Sequence, residues 1–172
     1  TDDITVKAQA LERGFEVHDR SRMLASDIAT LDEVMVRMQK DYPAFDYYVC
    51  LPPTSPLRTF THVEEALLKI VVENGDSLIS VKEERKSIWK LNQNATFLTP
   101  VVERLKNRQD VEPYYIANGA IFISRANILR DLKKRMGGRV CSYVMNEMDL
   151  VDVHGLDDIK LAEFYLNEKG KK

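Results

Sequence analysis

The chain has 172 residues, of which 44% are hydrophobic and 30% charged, with a formal net charge of -2. That length suggests one domain with a substantial core, and the composition is ordinary for a globular protein. The near-neutral balance argues against an extended nucleic-acid surface, and no apolar run is long enough to span a bilayer as a helix.

In chain order, residues 4–13 put Ile4, Ala8 and Leu11 on one helical face, with Gly14 as the stop. Phe15-Glu16-Val17 reads as a short strand. Thr30 with Glu33 forms a capping box for a helix carrying Val34, Met35 and Met38. Asp46 to Leu51 is β-rich and stops at Pro52, which predicts a buried strand. Thr61 with Glu64 predicts a second capping box, opening a helix that reaches about Glu73 before Gly75. Ser77 to Val81 predicts another buried strand.

Residues 82–112 are polar, charged and irregular. Tyr114 to Ser124 is a long β-type run broken at Asn118-Gly119. Ala126 to Lys134 reads as helical and ends at Gly137-Gly138. Arg139 to Met145 and Leu150 to Val153 predict strands, and Asp157 caps a last helix with Ile159, Leu161, Ala162 and Tyr165. Strands alternating with helices predict a single α/β domain, Rossmann-like, with a mostly parallel sheet and helices on both faces. Ligands in such sheets bind beyond the carboxyl ends of strands, so residues just after each strand are the candidates.

Four segments offer chemistry. Leu51 to Arg58 carries Pro52, Pro53 and Pro56 with Thr54, Ser55 and Arg58: a rigid binding-site wall, or equally a proline-stiffened connection. Arg108-Gln109-Asp110 is followed by Asn118-Gly119, where a glycine within an apolar strand marks a bulge or a close ligand approach. Taken alone, Asn118-Gly119 reads more readily as a strand irregularity. In Asp152-Val153-His154, strand alternation puts Asp152 and His154 on one face, as a divalent-metal pair or as strand-end polar groups. Arg20 to Asp27 could grip phosphate or be a solvated turn. Cys50 and Cys141 lie in apolar runs and read as reduced core residues, which points to a cytoplasmic protein.

In order and spacing, Thr54-Ser55-Pro56-Leu57-Arg58, Arg108-Gln109, Asn118-Gly119-Ala120-Ile121 and the Asp152 segment resemble the CMP-sialic acid synthetase (acylneuraminate cytidylyltransferase) family. Thr1-Asp2-Asp3, Arg20 and Leu24-Ala25-Ser26-Asp27 fit the same order, so the resemblance covers the whole chain. It implies a dimeric Rossmann-like enzyme in which the anomeric hydroxyl of an acidic nine-carbon sugar attacks the α-phosphate of CTP. Pyrophosphate leaves, with Mg²⁺ assisting. Carried over by position, Arg20 contacts CTP, and Pro52, Thr54 and Ser55 stand in the substrate-binding loop. Lys90 and Arg108 reach the partner subunit's site, Asn118 and Phe122 line the sugar pocket, and Asp152 holds Mg²⁺ as the catalytic carboxylate. The resemblance makes residues 82–112 the dimerisation region.

Three positions depart from the family pattern. Pro52 stands where the family usually has a sugar-binding Gln, Phe122 where it commonly has Tyr, and His154 in place of a second metal carboxylate. The family's Gly/Ser/Lys/Arg-rich phosphate loop has no counterpart, which implies a fragment, a misassigned gene start or a chain that has lost catalysis, and in each case little activity by itself. Two rival readings are another sugar nucleotidyltransferase, such as a Kdo-activating enzyme, and a non-catalytic binding domain of the same fold.

Overall fold

The structure is a computed structural model that describes residues 1–86, 88–92, 98–101, 110 and 112–169. Helix α1 spans Ile4–Glu12, α2 Leu31–Asp41, α3 Phe60–Val72 and α4 Leu156–Lys169. The strands are β1 Tyr47–Cys50, β2 Ser77–Glu84, β3 Trp89–Leu91, β4 Leu98–Pro100, β5 Tyr114–Arg125 and β6 Val140–Val144. A four-stranded sheet has the order β1-β5-β2-β6, and β3 and β4 form a separate antiparallel pair. The chain divides into two compact units. The first is Thr1–Leu51, Leu67–Leu78 and Ile121–Cys141; the second is Pro52–Ala66, Ile79–Ala120 and Ser142–Lys172.

In the first unit, α1 starts where the Asp3 carboxylate accepts from the Val6 amide at 2.8 Å, and it stops at Gly14, whose φ of +78° suits a residue without Cβ. The expected strand at Phe15-Glu16-Val17 is absent. Phe15 N donates back to Ala10 O at the end of α1, and further on the Thr1 amino group donates to His18 O and Arg20 N donates to Thr1 O. Thr30 and Glu33 form the expected capping box, and α2 buries Met35 and Val36 against Leu129, with Tyr48 and Cys50 alongside. β1 pairs antiparallel with β5, Cys50 facing Phe122, so the sheet is not parallel throughout. β1 is half-buried, not buried as expected, because it lies at the sheet edge. The helix expected to run to Lys134 closes earlier, in a π-helical turn at Ile128–Leu132, where Lys133 takes a left-handed φ of +56°.

In the second unit, the expected break in β5 is a kink and not an interruption. The strand runs through Asn118, and Gly119 bends it with φ +75°. Leu57, Val151 and Ala162 form a core cluster that Val153 and Tyr165 flank. Leu150 to Val153 is not a ladder strand. Its Val153 amide is tied instead to Thr54 O at 2.7 Å. Asp157 pairs with Lys160, and the carboxylate that orders the start of α4 is Asp158. It accepts from the amides of His154 and Gly155, both at 2.9 Å. No helix among the described residues is long and apolar enough to cross a membrane.

Candidate functional site

The second unit ties the proline loop, the β5 kink and the Asp152 segment to one another. Arg58 braces them. Its Nη1 donates to Pro52 O at 3.0 Å and to Ala120 O at 2.7 Å, fixing the start of the proline loop to the residue just past the kink. Thr54 contributes its carbonyl, which holds Val153 and therefore the residues on either side, Asp152 and His154. A Cβ built on Gly119 would lie 3.5 Å from Asp152 Oδ2, so any side chain at this position would touch the carboxylate that the glycine leaves uncovered.

Three atoms in this group are buried without a hydrogen-bond partner: Ser55 Oγ, Asn118 Nδ2 and Asp152 Oδ1. Ser55 is only 3% exposed. Asn118 is held by its other end, where Oδ1 accepts from Ser80 Oγ at 2.5 Å and from the Ala120 amide at 3.1 Å. The amide nitrogen is left as a fixed donor. Asp152 likewise uses Oδ2 towards His154 Nε2 at 2.9 Å and leaves Oδ1 unused. Buried polar atoms are normally paired, so three such atoms on segments tied to one another single out this region as the candidate site.

The donor set can be tested against Mg²⁺. The ion takes hard oxygen ligands and commonly uses only one or two carboxylates, filling its remaining positions with water and phosphate oxygens. The unpaired Asp152 Oδ1 fits that requirement. No group of three or more His, Cys, Asp or Glu side chains able to hold a metal occurs among the described residues, so the site is no closed protein cage. His154 is 76% exposed, and its Nε2 faces the Asp152 carboxylate, whose side chain is 35% exposed.

The other expected site residues lie elsewhere. In the first unit, Arg20 Nη2 meets Asp2 Oδ1 at 3.4 Å, while its Nε is buried without a partner. Phe122 is 6% exposed, and the Arg135 guanidinium covers its ring at 4.6 Å, so this aromatic sits within the core of that unit. In the second unit, Lys90 is exposed on β3, opposite Thr99. Arg108 lies outside the described residues. Sequence reading missed Arg58 as the brace and Ser80 as the clamp on Asn118. The Arg next to the prolines and the Ser in an apolar strand were the available signals.

No protein-family model matches the chain. An N-acylneuraminate cytidylyltransferase of Streptococcus agalactiae serotype V is 32% identical over 162 residues, covering 92% of this chain and 39% of the relative. The protein of that name from Escherichia coli O18:K1:H7 is 28% identical, covering 100% of this chain and 42% of its own length. The chain thus spans about two-fifths of the length of the curated relatives it matches. In three dimensions it is similar to a 4-diphosphocytidyl-2C-methyl-D-erythritol synthase from Anaerococcus prevotii. The TM-score is 0.65 at 11% identity, over 97% of this chain and 78% of that one, which shows the Rossmann-like α/β fold. Over most of its length, the chain is related in sequence to the N-acylneuraminate cytidylyltransferases, the CMP-sialic acid synthetase family.

Proposed function

We propose that this chain forms the part of a cytidylyltransferase that receives an acidic, sialic-type sugar and the phosphates of CTP. The observation that carries the reading is the buried, unpaired Asp152 Oδ1, on a carboxylate whose other oxygen faces Gly119, together with the unpaired amide nitrogen of Asn118, the residue before that glycine. Similarity to N-acylneuraminate cytidylyltransferases supplies the reaction class. A bond forms between the sugar's anomeric oxygen and the α-phosphorus of CTP. The bond from that phosphorus to the bridging oxygen breaks, pyrophosphate departs, and the hydroxyl proton goes to solvent.

Such a transfer needs positioning and charge neutralisation more than a covalent catalyst. Asn118 offers its fixed amide to a sugar oxygen, because Ser80 and Ala120 hold its carbonyl end. Ser55 Oγ is a second donor, on a loop that Arg58 makes rigid. Asp152 would hold Mg²⁺ through Oδ1, and the ion when bound supplies neutralisation of phosphate charge. Pro52 has no amide hydrogen and its carbonyl is engaged by Arg58, so it shapes the wall without donating to the sugar. We place Arg20 against CTP and assign Lys90 and Arg108 to the site of a second copy. The exposed β3–β4 pair, with Trp89, Leu91 and Leu98, would form part of the contact between copies. Cys50 and Cys141 are not joined in a disulfide, which suits the cytoplasm.

Mn²⁺ with CTP, titrated into the protein and followed by water-proton relaxation, tests the reading. The wild type should bind, and Asp152→Asn should weaken binding by about tenfold or more. Equal binding by the two removes the assignment. Sedimentation showing only monomer at micromolar concentration removes the dimer.

A further inference from the structure

Helix α3 opens on an unusual cap. The Thr59 hydroxyl accepts from the His62 amide at 3.4 Å, and in return the Thr59 amide donates to His62 Nδ1 at 3.2 Å. This is a capping box with imidazole in the place normally taken by Glu or Gln. Accepting at Nδ1 places the ring proton on Nε2. That nitrogen faces Asp149 Oδ2 at 3.6 Å, beyond hydrogen-bond length but within electrostatic reach. The two side chains are 16% and 9% exposed, so little solvent screens the contact.

Asp149 ends the 3-10 turn Glu147–Asp149, three residues before Asp152. Tyr143 lies on the same side, its ring 6.3 Å from His62, and donates to Glu65 at 2.5 Å. Burial first, then Glu65 and Asp149, push the Tyr143 phenol well above its ordinary value, so it remains a donor.

We propose that His62 is a positioning residue for Asp152. One nitrogen completes the cap of α3, and the other holds the Asp149 turn in the place that lets Val153 reach Thr54. An ordinary capping Glu would serve the helix equally well but would put a second carboxylate against Asp149. His62 joins the proline-loop side to the Asp152 side at a second point, beyond the Val153–Thr54 hydrogen bond. The functional meaning rests on the reading of Asp152 given above, while the mechanical link stands apart from it.

His62→Glu separates the two roles, since it keeps the box and reverses the contact with Asp149. His62→Gln keeps both, because its carbonyl can cap and its amide can donate. Amide hydrogen exchange of the full chain by NMR reads the link at Val153 and the cap at the amides of α3. In His62→Glu the Val153 amide should exchange about tenfold faster, with α3 unchanged. His62→Gln should restore protection. Val153 exchange equal to wild type in His62→Glu overturns the proposal, as does a His62→Gln variant as unprotected as His62→Glu. Should His62→Glu fail to fold, Asp149→Asn must itself speed Val153 exchange at least threefold; no change there also overturns it. Mn²⁺–CTP binding of Asp152→Asn, measured in parallel, fails separately if the metal reading alone is wrong.

Discussion

Two sets of buried polar side chains in this protein are treated in opposite ways. In the first unit, Ser77 Oγ donates to Gly137 O at 2.8 Å and accepts from the Gly137 amide at 3.1 Å, and Ser124 Oγ donates to Arg135 O at 2.7 Å. Each hydroxyl ties a strand to the turn after the π-helical segment, and nothing is left over. In the second unit, Ser55, Asn118 and Asp152 each keep a buried atom without a partner. An unmade hydrogen bond in a buried place costs more than a made one contributes. The first set therefore stabilises the fold, whereas the second tolerates a cost that a ligand would remove. Burial alone does not tell the two apart; the partner count does.

The largest expected effect follows at Asp152. Asp152→Asn should reduce Mn²⁺–CTP binding about tenfold or more while leaving the urea midpoint close to wild type, because Oδ1 has no protein partner to lose. A large loss of stability without loss of binding would make Asp152 a structural residue like Ser77.

Next is the pair of serines. Ser77→Ala should cost about 1–3 kcal/mol in urea unfolding, since it strands both the Gly137 carbonyl and its amide. Ser55→Ala should stay within about 1 kcal/mol of wild type and show its effect in ligand binding instead. Equal destabilisation by the two would erase the distinction between the two sets.

Asn118 lies between the two sets, half clamped and half free. Asn118→Ala should lose about 1–2 kcal/mol through the Ser80 contact and should also weaken sugar binding. Asn118→Asp keeps the acceptor but replaces the free donor with a charged oxygen that cannot donate to a sugar oxygen and repels its carboxylate, so saturation-transfer NMR with N-acetylneuraminate should show weaker binding still.

The smallest effect is at Asp158. The His154 amide, then that of Gly155, holds this half-buried carboxyl below its ordinary value. A depressed folded value means that the group adds stability above the unfolded value of about 3.9 and loses it as pH falls through the folded value. The melting-temperature gap between wild type and Asp158→Asn should therefore be present at pH 6 and close on acidification below about pH 4. A gap independent of pH would mean that the cap does not depend on charge.

Much of the architecture was legible before any coordinates. Thr30 and Glu33 cap α2, Gly14 ends α1, and the kink in β5 falls at Gly119, because caps, stops and left-handed turns are local choices of one or two residues. The misses share one cause. Phe15 to Val17 has β-type residues, but a strand exists only where a neighbouring strand pairs with it. Leu150 to Val153 similarly has a bond from Val153 to Thr54 and a local one from Leu150 to Glu147, but no ladder. At α3 the true box is Thr59 with His62, two residues before the expected Thr61 with Glu64, because an imidazole nitrogen can accept where the usual pattern looks for a carboxylate.

For the site, the sequence by itself determined which residue types are present and their order: an Arg after three prolines, an Asn-Gly within a strand, and an Asp and a His two apart. It also set Asp152 and His154 side by side, which the structure keeps at 2.9 Å without a strand to impose it. Only the tertiary structure decided what each one does. Phe122 faces inward under Arg135, Arg58 is spent on the carbonyls of Pro52 and Ala120, and Asp152 keeps one oxygen unpaired. The physical reason is that a side chain's role depends on which of its polar atoms have been satisfied, and those partners come from segments far apart in the chain.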